Sequence, residues 1–174
     1  MYKVLWIMLL TYTTYANDIK LPISFSSDFE QIITNPKNKV IKYSGNLKFV
    51  YPAIVKWSYI SPTQKEVCSN AEEITVVDHD LEQVSFYYLD KKFNIAKVLS
   101  QAKHYKDNIY VAKYQNKQYT IALDKSKHIQ SMAYFDDLDN KVQIVFKHIR
   151  YKKHPFSSKV MKCTFPKDYD VIRG

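Results

Sequence analysis

Glycine is almost missing: Gly45 and the terminal Gly174 are the only two in 174 residues. A glycine-rich phosphate loop, a dinucleotide-binding fingerprint and a nucleophile elbow each need several glycines at fixed spacing, so none of them can be written here. Turns fall to Asn, Asp and Pro instead, at Asn35-Pro36, from Asp78 to Asp80, at Asp107-Asn108, from Gln115 to Lys117 and at Asp139-Asn140. Cysteine is nearly as scarce. Cys68 and Cys163 suffice for one disulfide staple in an oxidising compartment, not for a disulfide framework, and spacing alone leaves open whether they meet.

Reactive signatures are missing as well. Asp78-His79-Asp80 has metal-ligating side chains, but three consecutive residues point in different directions and no second cluster lies at ligand spacing, so a polar turn is the expectation and no metal. His79, His104, His128, His148 and His154 are scattered among basic residues. No nucleophile, base and orienting acid stand together, so no catalytic residues and no cofactor are assigned; such triads can assemble only in the fold, which leaves an enzyme of unknown type, such as a hydrolase, as an open alternative.

Long apolar runs are confined to the first residues. MYKVLWIMLLTYTTYA has one basic residue, Lys3, an apolar core from Val4 to Leu10 and small or polar residues up to Ala16. This reads as a secretory signal peptide over residues 1–16, cleaved after Ala16, and the core is far short of the roughly 20 apolar residues of a membrane span. An exported, soluble single domain over residues 17–174 is expected. The formal net charge of +9 would ordinarily raise nucleic acid as a partner. Export argues against that, and leaves an anionic membrane, an acidic protein or a merely solvated lysine-rich surface. The densest basic run, Lys147, His148, Arg150, Lys152, Lys153 and His154, is explained more simply as a strand edge guarded by lysines than as a site for head groups or single-stranded nucleic acid.

What the chain does have is alternation. From Gly45 to Cys68, the residues Leu47, Phe49, Tyr51, Ala53, Val55, Trp57 and Tyr59 share one face at a period of two, with Pro52 forcing a bend, bulge or edge. Strands are expected at Phe25 to Ile33, Val40 to Tyr51, Ile54 to Ile60, Lys65 to Cys68, Ile74 to Val77, Leu81 to Leu89, Ile109 to Tyr114, Tyr119 to Leu123, Ile129 to Tyr134, Val142 to Tyr151 and Lys159 to Phe165. One helix is expected from Lys91 to His104, where Ile95, Val98, Leu99 and Ala102 form an apolar stripe at i, i+3, i+4 and i+7. The fold class is therefore mainly β with one inserted helix (α+β): about ten antiparallel strands curling around a mostly apolar interior.

The order of these features resembles the outer-membrane lipoprotein carrier family LolA. The residues that carry the resemblance are Phe25-Ser26-Ser27-Asp28-Phe29-Glu30-Gln31, the Gly-x-Leu and Pro…Trp-x-Tyr…Pro pattern between Gly45 and Pro62, Asp78 to Val84, the helix after Leu89, and Phe165 to Ile172. The resemblance implies an unclosed antiparallel β-barrel with a helical lid over a hydrophobic cavity. It implies a periplasmic chaperone, not an enzyme, that takes triacylated lipoproteins from an inner-membrane ABC transporter to an outer-membrane acceptor or the outer membrane itself; a monomer is expected. On that scaffold Phe49, Tyr51, Val55, Trp57, Tyr59, Val84, Phe86 and Tyr88 are expected to line the acyl cavity, and Phe93, Ile95, Val98, Leu99 and Ala102 to form the lid. The alternative for each residue is plain core packing, and the alternative for the whole is a lipid-sensing regulatory module. Tyr51 stands where the family usually has a lid-closing arginine, and one phenolic hydroxyl cannot replace five guanidinium donors.

Overall fold

Alternating hydrophobicity becomes strands in the computed structural model, which describes residues 19, 22–70, 72–88 and 95–173. The strands are β1 (Ser24–Thr34), β2 (Val40–Val50), β3 (Ile54–Ser61), β4 (Lys65–Ser69), β5 (Glu73–Asp78), β6 (Gln83–Tyr88), β7 (Lys103–Lys106), β8 (Ile109–Tyr114), β9 (Lys117–Leu123), β10 (Ile129–Phe135), β11 (Lys141–Lys152) and β12 (Asp170–Arg173). Two short helices join them, α1 (Ile95–Ser100) and α2 (Ser158–Met161). All twelve strands form one sheet in the order β12-β6-β5-β4-β3-β2-β1-β11-β10-β9-β8-β7. Every pairing is antiparallel except that of β12 with β6. The two ends of the sheet do not pair, so the barrel is unclosed, as expected.

Curling such a sheet requires local breaks in the ladder. At Gly45 the β2–β3 register shifts, and a Cβ there would run into the Ser58 carbonyl oxygen and lie 2.9 Å from the Tyr59 Cα. Only glycine allows this close backbone approach. A second break lies between β1 and β11, where His148 adopts φ 50°. Turns manage without glycine: Asn38, Asp107, Gln115, Asn116 and Asp139 take left-handed φ values, and the side chains of Asn35, Asn70, Asp124 and Asp136 accept backbone N–H groups from the residues that follow.

Cross-strand partners point to the same face, so register carries one apolar surface across the sheet. Trp57 faces Leu47, Phe49 faces Phe25, Phe29 faces Phe146, Ile144 faces Met132, and Ile121 faces both Met132 and Tyr110. Val98, Leu99 and Ala102 complete this core on the concave side, with α1 packed on β8.

Three expectations need correction. The helix expected from Lys91 to His104 is shorter: α1 ends at Ser100 and Lys103–Lys106 is an edge strand. Asp107, at left-handed φ, starts a tight turn that folds β7 back onto β8, and this hairpin takes up the residues that would have continued the helix. Residues 91–94 lie outside the described set. Lys159 to Phe165 is not a strand. It holds the end of α2 and a loop crossing the convex face, where Met161 is buried and Cys163 is bonded to Cys68. The last strand is β12 instead. Leu81 belongs to the β5–β6 turn, and β6 begins at Gln83.

Candidate functional site

The concave face is built on the β2–β3 hairpin, with Phe49 opposite Val55, Leu47 opposite Trp57 and Gly45 opposite Tyr59. Because Gly45 has no side chain, the Phe29 ring from β1 meets Tyr59 edge-on at 5.1 Å and Trp57 at 4.8 Å. Phe25 adds a contact to Phe49 at 5.3 Å, and Trp57 reaches Phe146 at 6.5 Å. A connected aromatic surface therefore spans β3, β2, β1 and β11. Above the opposite half of the sheet, α1 buries Val98 completely and Leu99 almost so.

Polar groups on this face are few and paired. Tyr59 Oη donates to Gln31 Oε1 at 3.0 Å, and its ring packs edge-on to Tyr43 at 5.7 Å. Burial, reinforced by the neighbouring phenols of Tyr134 and Tyr43, pushes the Tyr59 hydroxyl up to about 12. Burial raises Tyr134 and Tyr119 as well. These phenols stay neutral at physiological pH, so the face can hold an apolar ligand with hydroxyls at its margin, and those hydroxyls offer no acid–base chemistry there.

Not all the expected residues come together. Phe49, Val55, Trp57 and Tyr59 share the concave face, while Tyr51 lies in the β2–β3 turn, half exposed, its N–H donating to Ile23 O at 2.9 Å. Val84, Phe86 and Tyr88, expected on the same wall as Trp57, are on the other face. The ladder runs Val55–Ser69, Ser69–Ile74 and Ile74–Tyr87, so Tyr87 continues the concave face and its neighbours on β6 point outward. Val84 is fully buried there, Phe86 packs against Phe165 at 6.4 Å, and Tyr88 is exposed. Of the expected lid, Ile95, Val98, Leu99 and Ala102 pack on the core, and Phe93 lies outside the described residues. Phe25, Phe29, Met132, Ile144 and Phe146 were missing from the expected site; the alternation of β1, β10 and β11 contained that signal.

The convex face is closed by the C-terminal segment. Cys68 and Cys163 are joined across 95 residues of sequence, and Lys56 Nζ binds both Glu66 Oε1 at 2.9 Å and Lys162 O at 3.0 Å. Glu66 lies within 4.8 Å of both sulfurs, but a disulfide offers no thiolate, so this trio is not a metal centre. Beside it Val50, Ile54, Phe86, Phe156, Met161 and Phe165 line a groove of about 610 Å³. The side chains of Asp78, His79 and Asp80 serve three separate partners: Lys65 Nζ, Tyr169 Oη and the Gln64 N–H. That is a polar turn.

Fold and face together define a half-barrel with an aromatic concave surface on one half and the helix α1 packed over the other. Residues 23–160 match the family described as outer membrane lipoprotein carrier protein LolA, and the chain belongs to that family. A protein of Campylobacter jejuni named outer-membrane lipoprotein carrier protein is 37% identical over 150 residues, covering 86% of each chain. One of the same name from Helicobacter hepaticus is 31% identical over 127 residues, covering 73% of this chain and 71% of its own. Among solved structures, an uncharacterised conserved protein of Thermus thermophilus superposes with a TM-score of 0.55 at 9% identity, covering 88% of this chain and 92% of its own. A LolA-superfamily protein of Nitrosomonas europaea gives 0.50 at 8% identity, covering 85% and 94%. These last two establish the fold.

Proposed function

We propose that this chain is a periplasmic chaperone of lipoproteins. In this reading it receives triacylated lipoproteins from an inner-membrane ABC transporter, shields their acyl chains on the concave face and releases them at the outer membrane; it is not an enzyme. The observation that carries the reading is the connected aromatic surface of Phe29, Phe49, Trp57 and Tyr59, which shares its concave core with the helix α1 packed on β8. The six described residues of this helix have no stability of their own as an isolated helix and are held by packing. Lifting it uncovers Val98 and Leu99, at about 1.5–3 kcal/mol for each of these side chains. Each methylene of an acyl chain brought out of water returns about 0.8 kcal/mol, so a chain of about a dozen offsets the opening. Release to a second apolar site needs no energy source, because the lid closes again over the face that the cargo leaves.

Export follows from the leader over residues 1–16, and among the described residues no helix is long and apolar enough to cross a membrane. Trp6 and Trp57 are the only tryptophans, so in the leaderless chain Trp57 alone reports on the site. Titration with a triacylated lipopeptide should shift its emission saturably. A folded protein whose Trp57 emission and lipopeptide retention both stay unchanged contradicts the reading.

A further inference from the structure

Antiparallel order places the β1–β2, β3–β4, β5–β6, β8–β9 and β10–β11 turns at one end of the sheet. Exposed apolar side chains, aliphatic but for Phe135, collect on this rim. Val40 and Ile41 are on the β1–β2 hairpin, Phe135 and Leu138 on the β10–β11 hairpin, Ile60 at the end of β3 and Leu81 in the β5–β6 turn, from 50% exposed at Ile41 to 76% at Leu138. The large exposed side chains of the opposite rim are mostly tyrosines, Tyr51, Tyr88 and Tyr105.

Register makes part of the rim continuous. Val40 pairs with Thr34, Thr34 with Lys141 and Lys141 with Phe135, an unbroken rung across four strands pointing to the convex face. Both faces of the β1–β2 hairpin are uncovered at Val40 and Ile41, so the hairpin projects beyond the packed sheet. Charge follows the same hairpin. Lys37, Lys39 and Lys42 lie on it and Lys141 beside it, all exposed and in no ion pair with a described residue, and residues 35–42 contain no acid. Of the acids on the neighbouring turns, Asp78 and Asp137 are paired with Lys65 and Lys117, whereas Asp80 and Asp136 accept hydrogen bonds from the Gln64 N–H and from Asn140 and keep their charge. Just inside the rim on the concave face, Tyr43, Tyr59 and Tyr134 form a band of phenols. Aliphatic tips, unpaired lysines and a tyrosine belt are the sequence of chemistries met on crossing from acyl chains through headgroups to water.

We propose that this rim docks on a lipid bilayer containing anionic phospholipid, with the β1–β2 hairpin entering the headgroup layer and Phe135 and Leu138 beside it. Asp80, Glu82, Asp136 and Asp139, in no ion pair with a described residue, stand on the turns beside the hairpin and keep the contact shallow and reversible. The proposal goes beyond the carrier reading, and its test has a separate readout for it. The leaderless protein is sedimented with vesicles of phosphatidylcholine alone and of phosphatidylcholine mixed with phosphatidylglycerol. More protein should pellet with the mixed vesicles, and added salt should reverse the gain. Each of Lys37→Gln, Lys39→Gln and Lys42→Gln should weaken partitioning about fivefold, the equivalent of about 1 kcal/mol per lysine near the surface. Ile41→Ser with Leu138→Ser should weaken binding to both vesicle types. All these positions are exposed, so melting temperatures should hold, and the lipopeptide response of Trp57 should be unchanged. Absence of the wild-type protein from both pellets, or variants that sediment as the wild type does, overturns the proposal and leaves the lipopeptide readout to decide the carrier reading. A rim that serves a protein acceptor instead gives the first of these results.

Discussion

Gly45 is the residue on which the curvature of the site depends. Its position over the Ser58 carbonyl leaves no room for a methyl group, and the atoms in the way are backbone atoms held in the β2–β3 ladder. Gly45→Ala should therefore destabilise by about 1–3 kcal/mol, the usual cost of overpacking, and lower the melting temperature. Tyr59 sets a pH limit on the same hairpin. Its hydroxyl, near 10 when unfolded, is pushed up to about 12 by burial, as is that of Tyr151. A raised folded-state value means that this stabilisation is complete below pH 10 and is lost as pH rises through about 12. Phenolate absorbance should show a late-titrating fraction that shrinks in Tyr59→Phe; tyrosines that all titrate near 10 in the folded protein would contradict the burial argument. Tyr51, half exposed in the turn, has one hydroxyl where an arginine has five donors. Tyr51→Arg should slow cargo transfer to acceptor membranes, measured against wild type, and equal or faster transfer would count against a lid-closing role for that position. Trp57 and Val55 could be placed from alternation alone, whereas Val84, Phe86 and Tyr88 could not. A period of two tells which residues of a strand share a face, but which face that is depends on the register of every pairing in between.

At the scale of elements, local pattern and long-range pairing divide the chain between them. The stripe of Ile95, Val98 and Leu99 correctly marks the buried side of α1, because helical periodicity is local. Its C-terminal end was not legible, since Lys103–Lys106 becomes a strand only by pairing with β8. The segment around Val160 and Met161 has the composition of a strand, yet it is held crosswise on the convex face by Cys163. That staple closes a loop of 95 residues, and removing such a link costs typically about 2–5 kcal/mol. Cys68→Ser with Cys163→Ser should lower the melting temperature by roughly 4–20 °C at the usual 2–4 °C per kcal/mol for a chain of this size. The disulfide is on the face opposite Trp57, so the variant should keep its lipopeptide response at temperatures where it remains folded.

For the whole molecule, one open sheet uses its two faces differently: the concave side gathers the aromatics and packs α1, and the convex side is closed by the disulfide-linked C-terminal segment. The overall architecture was legible because alternation and turn chemistry recur along the entire chain, and the order of features from Phe25 to Ile172 carried the family resemblance. The count of strands was not, because β7 and β12 are short edge strands of four residues, β7 folding back on β8 out of an apparent helix and β12 pairing with β6, distant in sequence. Retention of cargo by such a fold rests on apolar area and a lid, so binding should be saturable, reversible and stoichiometric. The most direct test is mass spectrometry of the protein isolated intact from periplasm. The account predicts a one-to-one complex with triacylated lipoproteins; a chain recovered free of acylated polypeptide from cells rich in such lipoproteins would contradict it.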